Sequence, residues 1–287
     1  MPLHRVTGNN LDIQEKYNLK AYYSDKFDVE QTSNLSLFLY THALAIMAKN
    51  ANGSVIGCHL YTFDENGEIP EIVEKDLFIN AENTAGKLFI YNSHFCLVPS
   101  VLFDPSVKST FLKFSSRVDE EKQEVFYEGV DSNNLQVVGA IDKEVLLVFD
   151  QGLPDLEITH ASSLILSYLL SDKNNMLGQE LYVFAEDGHV FLAGFGGSEL
   201  KIFNRFPVRG EQDFLKYTFA VLHQLGFDRM HCRITCLGNL EGIGVDPGSL
   251  NIYFKYLLHE VPKLNQTYSP GAEGFKESKL LEAYWTV

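Results

Sequence analysis

Basic residues are in short supply. Against 38 aspartates and glutamates stand only 23 lysines and arginines, a formal net charge of −15. Nucleic acid and anionic membrane are both bound through Lys and Arg with release of counterions, so the chain is expected to bind neither. A soluble acidic surface accounts for the imbalance more simply than an acidic site for a basic partner. Cysteine is sparse too, and four residues in 287 do not make a disulfide framework. The longest apolar run, near Leu164 to Leu170, falls far short of the roughly 20 residues a membrane helix requires. Met1 to Asn10 has no apolar stretch behind a basic start, so no signal peptide is read and a reducing, cytoplasmic home is expected.

Several catalytic signatures are missing as well. Asn52-Gly53-Ser54 and Gly194-Phe195-Gly196-Gly197-Ser198 have the glycines of a phosphate loop but no following lysine, and the second opens a strand rather than a helix. There is no Gly-x-Ser-x-Gly elbow, and no Ser/His/Asp trio is placed by spacing. The nine histidines are scattered. Cys232 and Cys236 sit at even spacing on one strand, too far apart to share a zinc ion without a bulge.

What the chain does have is repetition. Leu35 to Phe63 and Glu180 to Phe206 both read as three-strand antiparallel meanders running into a helix. In the first, Leu35 to Leu39, Ala43 to Lys49 and Val55 to Phe63 are strands, separated by a tight Thr41-His42 reversal and the turn Asn50-Ala51-Asn52-Gly53. Pro70 opens a helix carrying Ile72, Val73 and Leu77. In the second, Asp187-Gly188 is the strongest hairpin signal in the chain, and Glu211 to Leu225 is an amphipathic helix stopped by Gly226.

Between the repeats, strands are expected at Lys87 to Asn92, Phe95 to Val98, Glu124 to Tyr127, Leu135 to Ile141 and Glu144 to Phe149. Asp104-Pro105 caps a helix, and another covers His160 to Leu170. After the second meander come a strand at Cys232 to Leu237 and a last helix from Asp246-Pro247 through Val261. A strand near Tyr268 and a short terminal helix close the chain.

The fold class read from this order is α/β. Two ribonuclease-H-like halves, each a βββαβα mixed sheet, are expected as in an actin-like ATPase, with a β-rich insertion in the first half. A doubly wound sheet would instead alternate single strands with helices from the start. The expected divisions are a 1–34 extension that packs loosely or pairs an edge, a first half at 35–171 with its insertion at about 95–149, and a second half at 179–287.

In such a fold the first hairpin turn of each half would face a nucleotide, and needs glycine, amide N–H groups, a hydroxyl and a metal-placing acid. The first turn, Phe38 to Leu44, offers only Thr41. The second offers Gly188 beside two acids, Glu186 and Asp187, which would repel a triphosphate unless a metal intervened. Gly238-Asn239 stands where the backbone could approach an adenosine. Under an enzyme reading, Thr41 and Gly188 would lie near phosphate, Glu186 or Asp187 on magnesium, and Gly238 and Asn239 on the nucleoside of Mg-ATP. The leading expectation is instead a degenerate nucleotide site and a scaffold whose partner is a protein. The inserted region is the preferred partner-facing segment, because an insertion on a repeated core is free to specialise.

Four segments carry a family likeness: Leu35-Ser36-Leu37-Phe38-Leu39; Leu97-Val98-Pro99-Ser100-Val101-Leu102-Phe103-Asp104; Leu181-Tyr182-Val183 through Asp187-Gly188; and Phe203-Asn204-Arg205-Phe206 with Asp213-Phe214 and Gln224-Leu225-Gly226. Together they resemble the uncharacterised family called domain of unknown function 3822, found mainly in Bacteroidetes. The likeness runs from about Leu35 to Leu258 and contains no catalytic motif. It implies an actin-like ATPase fold and a bacterial cytoplasmic protein, and no reaction.

Overall fold

A computed structural model describes residues 16–82, 84–130, 134–176 and 178–286. The chain divides into two compact units. The first holds the described residues up to Leu166 with Thr267–Phe275, and the second holds Ser167–Gln266 with the described residues from Lys276 onward.

The first unit starts with β1 (Lys20–Tyr23) and then the expected meander β2 (Asn34–Leu39), β3 (Ala43–Lys49) and β4 (Ser54–Thr62). The turn between β3 and β4 forms because the Asn50 side chain accepts from the amides of Asn52 and Ser54, each at 3.0 Å, while Gly53 adopts φ 77°. Helix α1 (Ile69–Lys75) carries Pro70 in its first turn and buries Ile69, Ile72 and Val73. Strand β5 (Ala85–Ile90) follows, parallel to β2.

Next comes the insertion, β6 (Phe95–Pro99), α2 (Lys108–Lys113), β7 (Gln123–Val130) and β8 (Leu135–Asp142). Its three strands form a separate antiparallel sheet in the order β6-β8-β7. A small core of Val98, Leu112, Val125, Val138 and Ala140 lies beneath it. The unit continues through α3 (Lys143–Gly152) and β9 (Leu156–His160), and α4 (Ala161–Leu170) crosses the boundary.

The strand expected at Glu144 to Phe149 is therefore a helix. Its valines favour strand locally, but Val145, Val148 and Phe149 stand at helical spacing and pack on the main core of the unit. Burial of that face decides the outcome.

The second unit has β10 (Gln179–Glu186), β11 (His189–Gly196), β12 (Glu199–Pro207), α5 (Glu211–Leu225), β13 (Arg233–Gly238) and β14 (Tyr256–His259). Helix α5 has the expected bounds. Gly226 caps it at φ 66°, and Phe214, Thr218, Val221 and Leu222 are its buried side. The last long helix does not form. A 3₁₀ turn at Ser249–Ile252 precedes β14, which pairs parallel to β13 with Tyr256 opposite Arg233. Leu250 and Phe254 of the expected stripe are buried, whereas Leu258 and Val261 stay exposed, so only half the stripe meets a core.

The two main sheets share one plan. The first runs β1-β4-β3-β2-β5-β9 and the second β12-β11-β10-β13-β14. In each, an antiparallel meander is joined at its first strand to two parallel strands. The first sheet has additions at its outer edge. Strand β1 covers β4 from Gly57 to Leu60, and β15 (Thr267–Tyr268) covers it at Ser54 and Val55.

Candidate functional site

In the first sheet the turn after β2 is closed by the Tyr40 amide donating to the Ala43 carbonyl at 2.9 Å, leaving Thr41 and His42 exposed. A pocket of about 200 Å³ opens beside it, at the ends of β2, β5 and β8. Leu39 and Ile90, adjacent in the parallel register, form part of its apolar wall with Ile141 and Val145. Its polar groups are Thr41, Asn92, His94, Gln123 and Asp142. Tyr40 and Tyr91 lie ring against ring, 4.3 Å between centroids.

The loop after β5 is held by Asn92, whose side chain donates to the Ala140 carbonyl and accepts from the His94 amide, both at 2.8 Å. Gln123 donates to Asp142 at 3.2 Å. The Tyr40 hydroxyl and His94 Nδ1 are buried with no hydrogen-bond partner among the described residues. No lysine or arginine is among the described residues lining this pocket. Of the lining residues, the sequence singled out only Thr41.

In the second sheet, register gathers the other candidates at one end. Glu186 faces His189 across the β10–β11 hairpin, and Ala185 lies beside Gly238 of β13. Glu186 is buried and accepts from Arg205 Nε at 2.7 Å, while the Arg205 guanidinium stands 5.7 Å from the Phe191 ring. Burial pushes the Glu186 carboxyl up, and the Arg205 charge only partly offsets this. Asp187 is half-buried, and its carbonyl oxygen lies 2.9 Å from His189 Nδ1.

Gly188 is exposed at φ 69°, and its carbonyl accepts from the Val208 amide. Gly238 has φ 87°, and a Cβ there would stand 2.2 Å from the Ala185 carbonyl oxygen. Close strand approach alone therefore requires this glycine. Asn239 turns its side chain onto its own loop, accepting from the Gly242 amide at 3.0 Å. Among the described residues no three His, Cys, Asp or Glu side chains converge as a metal site.

A second polar cluster of the first unit was missed from sequence. Asp76, just past α1, accepts from His59 Nδ1 at 2.5 Å and from the Tyr61 hydroxyl at 2.7 Å, and its other oxygen takes the amides of Phe78 and Ile79. The other ring nitrogen, His59 Nε2, lies 2.7 Å from the Tyr23 hydroxyl oxygen. Burial would raise the Asp76 carboxyl, but the charge and hydrogen bond of His59, with those of Tyr61 and the Ile79 amide, hold it below its ordinary value. The signal lay in β4, where His59 and Tyr61 share one face of an apolar strand. Burial pushes the Tyr23 and Tyr61 hydroxyls upward, so neither is an activated nucleophile. The cluster fastens β1 and the end of α1 to β4.

Among the described residues no helix is long and apolar enough to cross a membrane. A family model described as "Protein of unknown function (DUF3822)" matches residues 24–259. No curated protein matches the chain. A Bacteroides thetaiotaomicron protein with an actin-like ATPase fold and unknown function superposes with a TM-score of 0.73 at 17% identity, over 83% of this chain and 94% of that one. The PilM-PilN type IV pilus biogenesis complex contains a chain that superposes at 0.59 with 12% identity, over 88% and 96%. Shared strand order and these likenesses make the architecture that of the actin-like ATPases.

Proposed function

The chain belongs to the family of proteins of unknown function DUF3822, and from that premise we propose that it is a cytoplasmic, non-catalytic scaffold that works by binding another protein. The observation that carries this reading is the fate of Glu186. The buried carboxylate at the second hairpin pairs through Oε1 with the Arg205 guanidinium, whose positive charge opposes a metal ion beside it, while Oε2 has no hydrogen-bond partner among the described residues. Three further features support it. The turn at Thr41 has no glycine, Gly238 is required by Ala185, and Asn239 caps its own loop. The residues present do not fit a magnesium triphosphate. All four cysteines are free, which suits a reducing compartment.

The partner-facing part is the inserted sheet. Val101 is 91% exposed and Phe114 86%, and Leu102 beside Val101 is also exposed, all on an element with its own small core. Apolar side chains exposed to that degree on one small element fit a protein contact. The chain from the PilM-PilN complex resembled above works in a protein–protein assembly, which agrees with this use of the fold. Isothermal titration of the full chain with Mg-ATP tests the reading: no heat is expected at millimolar nucleotide. Micromolar binding that weakens on Asp187→Asn would establish the ATPase or phosphotransferase alternative instead.

A further inference from the structure

We infer that the groove where the inserted sheet rejoins the first unit docks a basic, partly apolar segment of the partner protein, and that one lysine or arginine of this segment enters the pocket beside Asp142. The inference rests on the scaffold reading above and names the chemistry of its partner.

The groove, about 610 Å³, runs between the start of α1, the turn before β7 and the outer face of α3. Its floor is apolar, from Ile69, Pro70, Val145 and Val148. Its rim is acidic: Glu121, Asp142 and Glu144 face a single ammonium, that of Lys122. Asp142 and Val145 also line the 200 Å³ pocket, so the two hollows are neighbours. A segment with apolar side chains on the floor and cationic ones at the rim matches both features.

The pocket selects what enters it. A volume of about 200 Å³ has room for a lysine or arginine side chain. An anion would find no countercharge there among the described residues. A cation would find the Asp142 carboxylate, the Thr41 hydroxyl and the paired rings of Tyr40 and Tyr91. The Tyr40 hydroxyl and His94 Nδ1 in the wall still lack partners among the described residues, and an arriving donor would end a costly state.

The test uses the full chain and a phage-displayed library of random dodecapeptides, with the enriched peptide titrated by fluorescence anisotropy. Enrichment of Lys or Arg next to Leu, Ile or Phe is expected. Asp142→Asn should weaken binding at least about tenfold, a change of about 1.4 kcal/mol, and Glu144→Lys should weaken it further. Asp142 is exposed and its side chain accepts from Gln123, so the variant keeps its fold. Ile252→Ser, at an exposed position of the second unit, should leave binding unchanged.

Acidic or neutral enriched peptides, no enrichment at all, or Asp142→Asn binding within about twofold of wild type would overturn the inference. So would full displacement of the peptide by free spermidine, which would mark a polyamine site instead. Mg-ATP binding would overturn the scaffold reading while leaving the effect of Asp142→Asn in place, so the two failures are distinguishable.

Discussion

The two main sheets are built to one plan and finished differently. In the first, the outer strand β4 is covered by β1 and β15, an extra sheet is inserted after β5, and a buried Asp–His–Tyr cluster holds the edge. In the second, β12 and β14 end the sheet, and its buried carboxylates Glu186 and Glu180 are each paired with an arginine, Arg205 and Arg233. A bare edge exposes a row of backbone donors and acceptors, so the second sheet shows the minimal repeat and the first shows what was added. The inserted sheet borders the two hollows described above and carries the exposed Val101, Leu102 and Phe114.

The sharpest way to break that comparison is to remove the polar anchor of each sheet. Asp76→Ala strands His59, Tyr61 and two amides in the core, and should cost about 3–5 kcal/mol in urea unfolding. Glu186→Ala removes the buried carboxylate paired with Arg205 and should cost about 3 kcal/mol. If Glu186→Ala costs more, the second unit is the more strongly anchored and the contrast fails.

Gly238→Ala comes next, at about 2 kcal/mol or more, because the new methyl meets the Ala185 backbone at positive φ. Gly188→Ala, with nothing within 4 Å, should cost about 1 kcal/mol. Equal thermal shifts for the two glycines would show that strand approach is not what Gly238 serves.

Acidity separates the units by sign. The Asp76 carboxyl is depressed, so its contribution is present above its unfolded value of 3.8 and is lost as pH falls through the folded value. Glu282 in the second unit is pushed by burial from 4.5 to about 8, and burial raises Glu186 as well. The contribution of Glu282 is full below 4.5 and drains away as pH rises toward 8, and that of Glu186 changes in the same direction. Hydrogen exchange, corrected for intrinsic rates, should show the second unit loosening between pH 5 and pH 8 while the first holds. Glu282→Gln should remove most of that slope and raise Tm at pH 8 by a few degrees. The smallest effect is reserved for Phe114→Ser, within about 0.5 kcal/mol of wild type by urea unfolding.

The meanders were readable because their turns are local chemistry. Asn50, Gly53 and Asp187-Gly188 fix their hairpins within a few residues. The misread segments are those that tertiary burial decides. Val145 and Val148 look like strand until the core claims one helical face, and Leu257 and Leu258 look like helix until β13 offers a parallel edge. The site suffered the same way. Thr41 and Glu186 could be picked out as turn residues, but Arg205 lies 19 positions from Glu186 and only strand register unites them. Asp142, Gln123 and His94 come from separate strands and loops, and no spacing rule joins them.

Strand β15 has a consequence for how the chain is made. Residues Thr267 and Tyr268 finish an edge that begins at Lys20, so a nascent polypeptide cannot close its first sheet until the strands of the second have left the ribosome. Stop codons placed between His259 and Thr267 would therefore injure the sheet that lies nearer the N-terminus.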